Sequence, residues 1–221
     1  MTQAKETLSE VRGAQTADET VRRRPGRPTG KLDRRELLMD AALALFARQG
    51  IPSTSLKMIA DEVGLTPAMA HYYFNGRYQL IDALVEERLL PVCISIGEAF
   101  GAEGDDPMTV ISTFVQRLVQ ATEECPWLAS LWVREMLGEG GDLKERVDRR
   151  LEETGSRKDA RRLENWRRQN ILNDDVESAL VFTSIMALTL LPLAASRKGS
   201  DSVSRDRLVK HVTTLLGGGL F

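Results

Sequence analysis

The stretch Leu56–Tyr73, LKMIADEVGLTPAMAHYY, decides the fold. Ser55 stands before it as a helix cap, and Leu56, Ile59, Ala60 and Val63 recur at the spacing of one helical face. Gly64 closes that helix, because glycine takes the left-handed backbone of a tight turn without steric cost. Thr66 then caps a second helix, with Pro67 at the first helical position, where the missing N–H costs nothing. Ala60, four residues before Gly64, lets the two helices approach closely. Two short helices joined in this way form a helix-turn-helix. Such a motif offers the early residues of its second helix to the major groove while the first crosses the backbone.

His71, Tyr72, Tyr73 and Phe74 follow in succession, and four rings in a row cannot share one helical face. Tyr73 and Phe74 are expected to brace the helix on Leu45, Phe46 and Ile59. His71 and Tyr72 then project outward, where an imidazole or hydroxyl can bond a phosphate oxygen or a base edge. Thr66, Pro67, Ala68 and Met69 form the tip, whose small and apolar side chains suit thymine methyls better than bidentate guanine reading. Ser55 and Lys57 at the head of the first helix, and Arg77 just beyond the second, complete the DNA-facing candidates. The plainer reading is a helical hairpin with surface aromatics.

Charge supports the DNA reading. Residues 20–80 hold ten Lys/Arg against five Asp/Glu, whereas the 221-residue chain carries a net charge of -2. A basic third on an acidic remainder suits a polyanion. Before the motif, RRRPGRPTGK carries Arg24 and Arg27 around Pro25-Gly26, an extended arm whose guanidiniums can follow a narrow, A/T-rich minor groove. It resembles the core of AT-hook peptides; the plainer reading is a solvated basic leader. These charges should make DNA affinity fall with salt, with a slope of about -0.9 per phosphate neutralised.

No stretch alternates with period two, so the chain reads as all-α: a helix-turn-helix three-helix DNA-binding domain followed by a larger helical domain. The expected divisions are a disordered basic arm over 1–32, the DNA-binding domain over 33–78, and a ligand-sensing and dimerisation domain over 79–221. Asp33 is the expected cap of the first helix, with Glu36 as its capping-box partner. A long helix over Arg77–Phe100 would span roughly 36 Å, kinked at Pro91. Further helices are expected over Met108–Glu124, Pro126–Leu137, Leu143–Leu151 and Leu163–Asn170. Asp174 or Asp175 would cap an apolar helix reaching Ala195, and a last helix would stop before the GGG tail. The apolar run Ala179–Ala195 is interrupted by Thr183, Ser184, Thr189 and Pro192, so it reads as a helix enclosed by protein rather than a membrane span. No apolar signal-type leader opens the chain, which points to a cytoplasmic protein.

The segment QGIPSTSLKMIADEVGLTPAMAHYYFNGRYQLIDALVEE resembles the DNA-binding domain of TetR/AcrR-type bacterial transcriptional regulators, over roughly residues 33–87. The resemblance implies a phosphate contact at His71, where the family usually has tyrosine, and a backbone contact at Arg77, where it usually has lysine. Ala70 departs from the larger aliphatic residue usual at that position. The resemblance also implies a homodimer, a palindromic double-stranded operator, and repression relieved by a small effector in the carboxy-terminal domain.

Val181, Ile185, Leu188, Leu208, Val212 and Leu215 are the expected dimer interface, half of a four-helix bundle; the plainer reading puts them in the protomer's own core. A pocket for an apolar or amphipathic effector is expected around Trp127, Trp132 and Met136 of PWLASLWVREM, joined by Phe100, Phe114, Leu118, Cys125 and Trp166. Glu135 is its polar group, with Arg134 the other charge at hand. Binding beside Pro91 would tilt the long helix and move the recognition helices off their spacing. No cofactor or metal is expected: Cys93, Cys125, His71 and His211 match no ligand spacing, and no Ser/His/Asp or Cys/His set suggests an enzyme. Two alternatives stay open. Regulation by a protein partner predicts a solid carboxy-terminal core, and an architectural binder predicts no sequence preference.

Overall fold

A computed structural model describes residues 31–101, 106–137, 142–196 and 204–221, and the basic arm with Arg24 and Arg27 lies outside them. Among the described residues the only regular elements are helices. They are α1 (Lys31–Gln49), α2 (Leu56–Glu62), α3 (Pro67–Phe74), α4 (Arg77–Leu84), α5 (Leu90–Gly97), α6 (Pro107–Glu124), α7 (Leu128–Leu137), α8 (Asp142–Glu153), α9 (Lys158–Arg168), α10 (Ser178–Ala195) and α11 (Arg205–Leu220).

Helices as short as α2 and α3 do not persist alone in water, so packing must hold them. Phe46, Ile59, Ala70 and Phe74 are all buried in one core that spans α1 to α4. The same core takes in Leu131 of α7 and Leu143 of α8. The amino-terminal helices are therefore fused by packing to two helices that arrive well after them in the chain. A second core joins α5, α6, α9, α10 and α11 around a cluster of tilted rings, with Phe100 and Phe114 centroids 5.0 Å apart and Phe114 and Phe182 5.6 Å apart.

Several boundaries differ from the sequence reading. The first helix already runs from Lys31, so Asp33 lies within it rather than capping it. Glu177, not Asp174 or Asp175, caps α10, its carboxylate accepting from the Ala179 N–H at 3.4 Å. The three final glycines are helical. Gly217 sits under Met108, whose Cε would lie 3.2 Å from an added Cβ, and the Leu220 carbonyl accepts from the Asn173 N–H at 2.9 Å. These contacts offset the low helix propensity of glycine.

The expected kink at Pro91 is resolved upstream of it. Between α4 and α5, Val85–Leu89 form a single π-turn, in which the Leu90 N–H reaches the Val85 carbonyl. Widening the turn frees the carbonyl that the proline ring would strike and absorbs the hydrogen bond that it cannot make. Ion pairs tie this turn to α1: Glu87 with Arg35 and Arg88 with Glu36. The Arg35 guanidinium also lies 5.4 Å from the Phe74 ring centroid, so one side chain bridges the turn and α3.

Its hydrogen bond with Arg35 holds the Glu87 carboxyl below the usual carboxylate range. The folded chain then binds fewer protons at this site than the unfolded one, so the tie contributes fully above the ordinary glutamate value. It is lost as pH falls through the lowered one. Both groups are partly solvated, so Glu87→Gln should cost at most about 1 kcal/mol at neutral pH. Urea denaturation of variant and parent should show that difference vanish in acid.

Candidate nucleic-acid interface

The capping chemistry builds the hairpin as the sequence suggested. Ser55 Oγ accepts from the Met58 N–H at 3.2 Å. Thr66 Oγ1 accepts from the Met69 N–H at 3.4 Å, and Pro67 opens α3. Gly64 turns the chain between them at φ +67°, with open space where a side chain would go, so backbone conformation and not crowding selects glycine. Asn75, at φ 46°, ends α3 through its N–H bond to the His71 carbonyl at 2.7 Å.

Each ring of the run takes a distinct place. Phe74 is buried and Tyr73 half-buried against the amino-terminal core. His71 is exposed, and Tyr72 is 65% exposed with its ring edge-on to Tyr73, centroids 5.3 Å apart. Thr66, Pro67, Ala68, Ser55 and Lys57 are exposed on the same hairpin; Met69 and Arg77 are partly covered. Met69 sulfur lies 3.9 Å from an Arg34 guanidinium nitrogen, which adds a cation from α1 beside the recognition helix. Sequence reasoning missed Arg34, since no local pattern brings α1 and α3 together. Ala70 is fully buried; its small side chain lets α3 lie close on α1 rather than leaving a gap.

Elsewhere the expected sites sort differently. A cavity of about 450 Å³ lies between α5, α6, α7, α8, α9 and α10. Of the proposed pocket residues, Phe114, Trp132 and Glu135 line it. Phe100, Leu118 and Trp166 do not; they are buried in the second core, with its tilted rings. Cys125 and Trp127 pack against the cores without lining the cavity, and the Met136 side chain lies outside the described residues. Arg134 turns away from the cavity. Its Nε and Nη2 donate to the Ala47 and Arg48 carbonyls, at 2.8 and 2.6 Å, capping α1 from the outside. Leu89, Cys93, Leu143, Val147 and Leu151 line the cavity without having been foreseen. They come from the turn before α5, from α5 itself and from α8, which meet only in the folded chain. Burial pushes the Cys93 thiol up to about 12, so it acts as an apolar wall at neutral pH.

Val181, Ile185, Leu208 and Val212, expected at a dimer interface, are buried inside the protomer. The apolar side chains that α10 and α11 leave outside are Leu180, Leu188, Leu191 and Leu215. Only 28% of α10 is buried, so protein encloses it less than the sequence reading supposed.

Comparison with known proteins matches residues 38–84 to the family of bacterial regulatory proteins, tetR family. The uncharacterized HTH-type transcriptional regulator TtgW of Pseudomonas putida is 32% identical over 69 residues, 31% of this chain and 52% of that protein. The HTH-type transcriptional regulator BetI of Rhizobium meliloti is 29% identical over 100 residues, 45% of this chain and 49% of that protein. The chain thus spans about half the length of these curated relatives. Solved structures share the fold more completely. The ketosteroid transcriptional regulator KstR2 of Mycobacterium tuberculosis superposes with a TM-score of 0.62 at 16% identity, over 85% of this chain and 95% of that one. The fatty acid degradation regulator FadR from Bacillus halodurans gives 0.63 at 18%, over 87% and 98%.

Proposed function

From a chain whose amino-terminal helices are a TetR-family DNA-binding domain, we propose a cytoplasmic, homodimeric transcriptional regulator. It acts as a repressor, released from a palindromic operator when a small apolar or amphipathic effector enters the carboxy-terminal cavity. It is a regulator and not an enzyme. The observation that carries this reading is the capped α2–α3 hairpin, with Thr66, Pro67, Ala68, His71 and Tyr72 on its open side. One copy reads one half-site, and reading two calls for a second copy. The exposed leucines of α10 and α11 supply the apolar surface for that pairing. The domain divisions proposed are the arm over 1–32, the DNA-binding domain over 33–78 and the sensing and dimerising domain over 79–221.

The cavity favours a small effector over a protein partner, because a solid core would be the mark of the latter. Its volume falls within the range of roughly 300–1,000 Å³ typical of ligand pockets. Its walls also reach the DNA-binding domain directly. Leu89, Cys93 and Ile96 flank Pro91 on the helix that leads from α4. α7 holds the end of α1 through Arg134. α8 pairs Arg146 with Asp82 and Arg150 with Glu86. A ligand that parts α7 and α8 from α5 therefore moves α1 and α4, and Arg35 passes the shift to Phe74 of α3. Reversing a population from 1:99 to 99:1 needs about 5.5 kcal/mol of preference for the displaced state.

Selection of bound duplexes from a random pool, repeated with candidate effectors, tests the whole reading. Enrichment of a two-fold symmetric site is expected; no enrichment at physiological salt would favour an architectural binder. Trp132→Ala should then weaken the effector response about tenfold or more, as expected for a large ring in a pocket, and leave operator affinity within about threefold. If both fall together, the cavity is not the sensor.

A further inference from the structure

The cavity wall is chemically uneven. Ile96, Phe114, Leu128, Trp132 and Phe182 make one side apolar. Where α8 meets α9 the wall is charged, with the carboxylates of Asp148, Asp159 and Glu164 against the cations Lys144 and Arg157, and Glu135 of α7 adds a further carboxylate to the lining. Most of these groups are engaged. Lys144 Nζ lies 2.7 Å from Asp148, Glu164 pairs with Arg168 at 3.6 Å, and Glu135 makes contacts of its own.

Asp159 differs. It is only 8% exposed, and Arg157 Nε stands 3.8 Å from it, beyond hydrogen-bonding distance. Arg157 is also divided between Asp148 at 3.3 Å and Glu152 at 3.8 Å. The Asp159 side chain keeps 12% of its surface exposed beside Arg157, and a carboxylate this far from bulk water gains from a hydrogen-bond donor as well as a nearby charge. The first turn of α9 provides a favourable dipole, but no hydrogen bond to Asp159 occurs among the described residues. The space left beside it is the cavity.

We propose that Asp159 anchors the effector and that the effector is an amphipathic organic cation. Its apolar body fills the side made by Trp132 and Phe182, and its protonated amine donates to the Asp159 carboxylate. This rests on the cavity being the effector site and narrows what that site accepts. The surplus of carboxylates in the wall disfavours an anionic head group, and the one guanidinium present is already shared among three acids.

The full chain, titrated calorimetrically at neutral pH with decylammonium, decanol and decanoate, tests this with one tail and three heads. Decylammonium should bind at least about tenfold more tightly than decanol, the worth of one charge-assisted hydrogen bond. Asp159→Asn should reduce that advantage to within about twofold while decanol binds as before. Operator binding by the same variant reports that it is folded. Arg157→Gln, a second variant, should keep the preference for the amine. Equal binding of amine and alcohol, or a preference that survives in Asp159→Asn, overturns the anchor while leaving the pocket. Tightest binding of decanoate overturns it in favour of Arg157. If none of the three binds, the pocket reading falls as well.

Discussion

Phe46→Ala should destabilise the protein by roughly 3–5 kcal/mol, the usual loss when a buried phenylalanine is cut back. Phe46 has no exposed surface and sits where α1 receives the recognition hairpin. Its neighbours cannot collapse freely into the void, because short α2 and α3 are already fixed by their caps. A loss of that size is a large share of the roughly 5–15 kcal/mol that holds a typical domain together. It should also reach the cavity. Leu131 and Leu143 belong to the same buried cluster and line the cavity, so effector affinity should fall along with operator affinity. Chemical denaturation with and without effector measures both. Unaltered effector binding in a variant that no longer holds DNA would mean that the two regions fold independently.

What the sequence discloses here depends on how local the cause is. Ser55, Gly64, Thr66 and Pro67 specify caps and a turn within a few residues of themselves, and the hairpin follows them closely. The outward set of His71 and Tyr72 was legible too, since a succession of rings forces some of them off the core face. The cavity was not. PWLASLWVREM is apolar nearly all round, and periodicity states only that such a helix is enclosed, not whether ring or void lies beside it. Phe100 and Trp166 went to the second core, while α8, an apparently plain charged helix, supplied Leu143, Val147 and Leu151 to the wall. Arg134 illustrates the same limit. Its partners are carbonyls at the end of the first helix, far back along the chain, and nothing near it in sequence reports them. The expected interface set divides, with Leu188 and Leu215 outside, for a related reason. A stripe on α10 or α11 looks the same whether it faces its own core or a second copy, and burial assigns Val181, Ile185, Leu208 and Val212 to the former.

His71→Ala combined with Tyr72→Ala should lower operator affinity on the order of 10²-fold or more, because each removes a hydrogen bond to a charged phosphate oxygen worth about 1.5–3 kcal/mol. Tyr72 is 65% exposed, and bracing falls to Phe74 and Tyr73, so stability should change little. The loss should be nearly uniform across operator sequences, since phosphate contacts carry no base information. Salt dependence separates this pair from Arg77→Ala. Losing the Tyr72 hydroxyl leaves the slope of affinity against salt as it was, whereas losing the Arg77 charge should reduce its magnitude by about 0.9. Fluorescence anisotropy with the selected operator and a scrambled duplex, across a salt series, reads all three quantities. A double variant that binds DNA like the parent would show that the open side of α3 does not meet the duplex. The exposed rings would then need another partner.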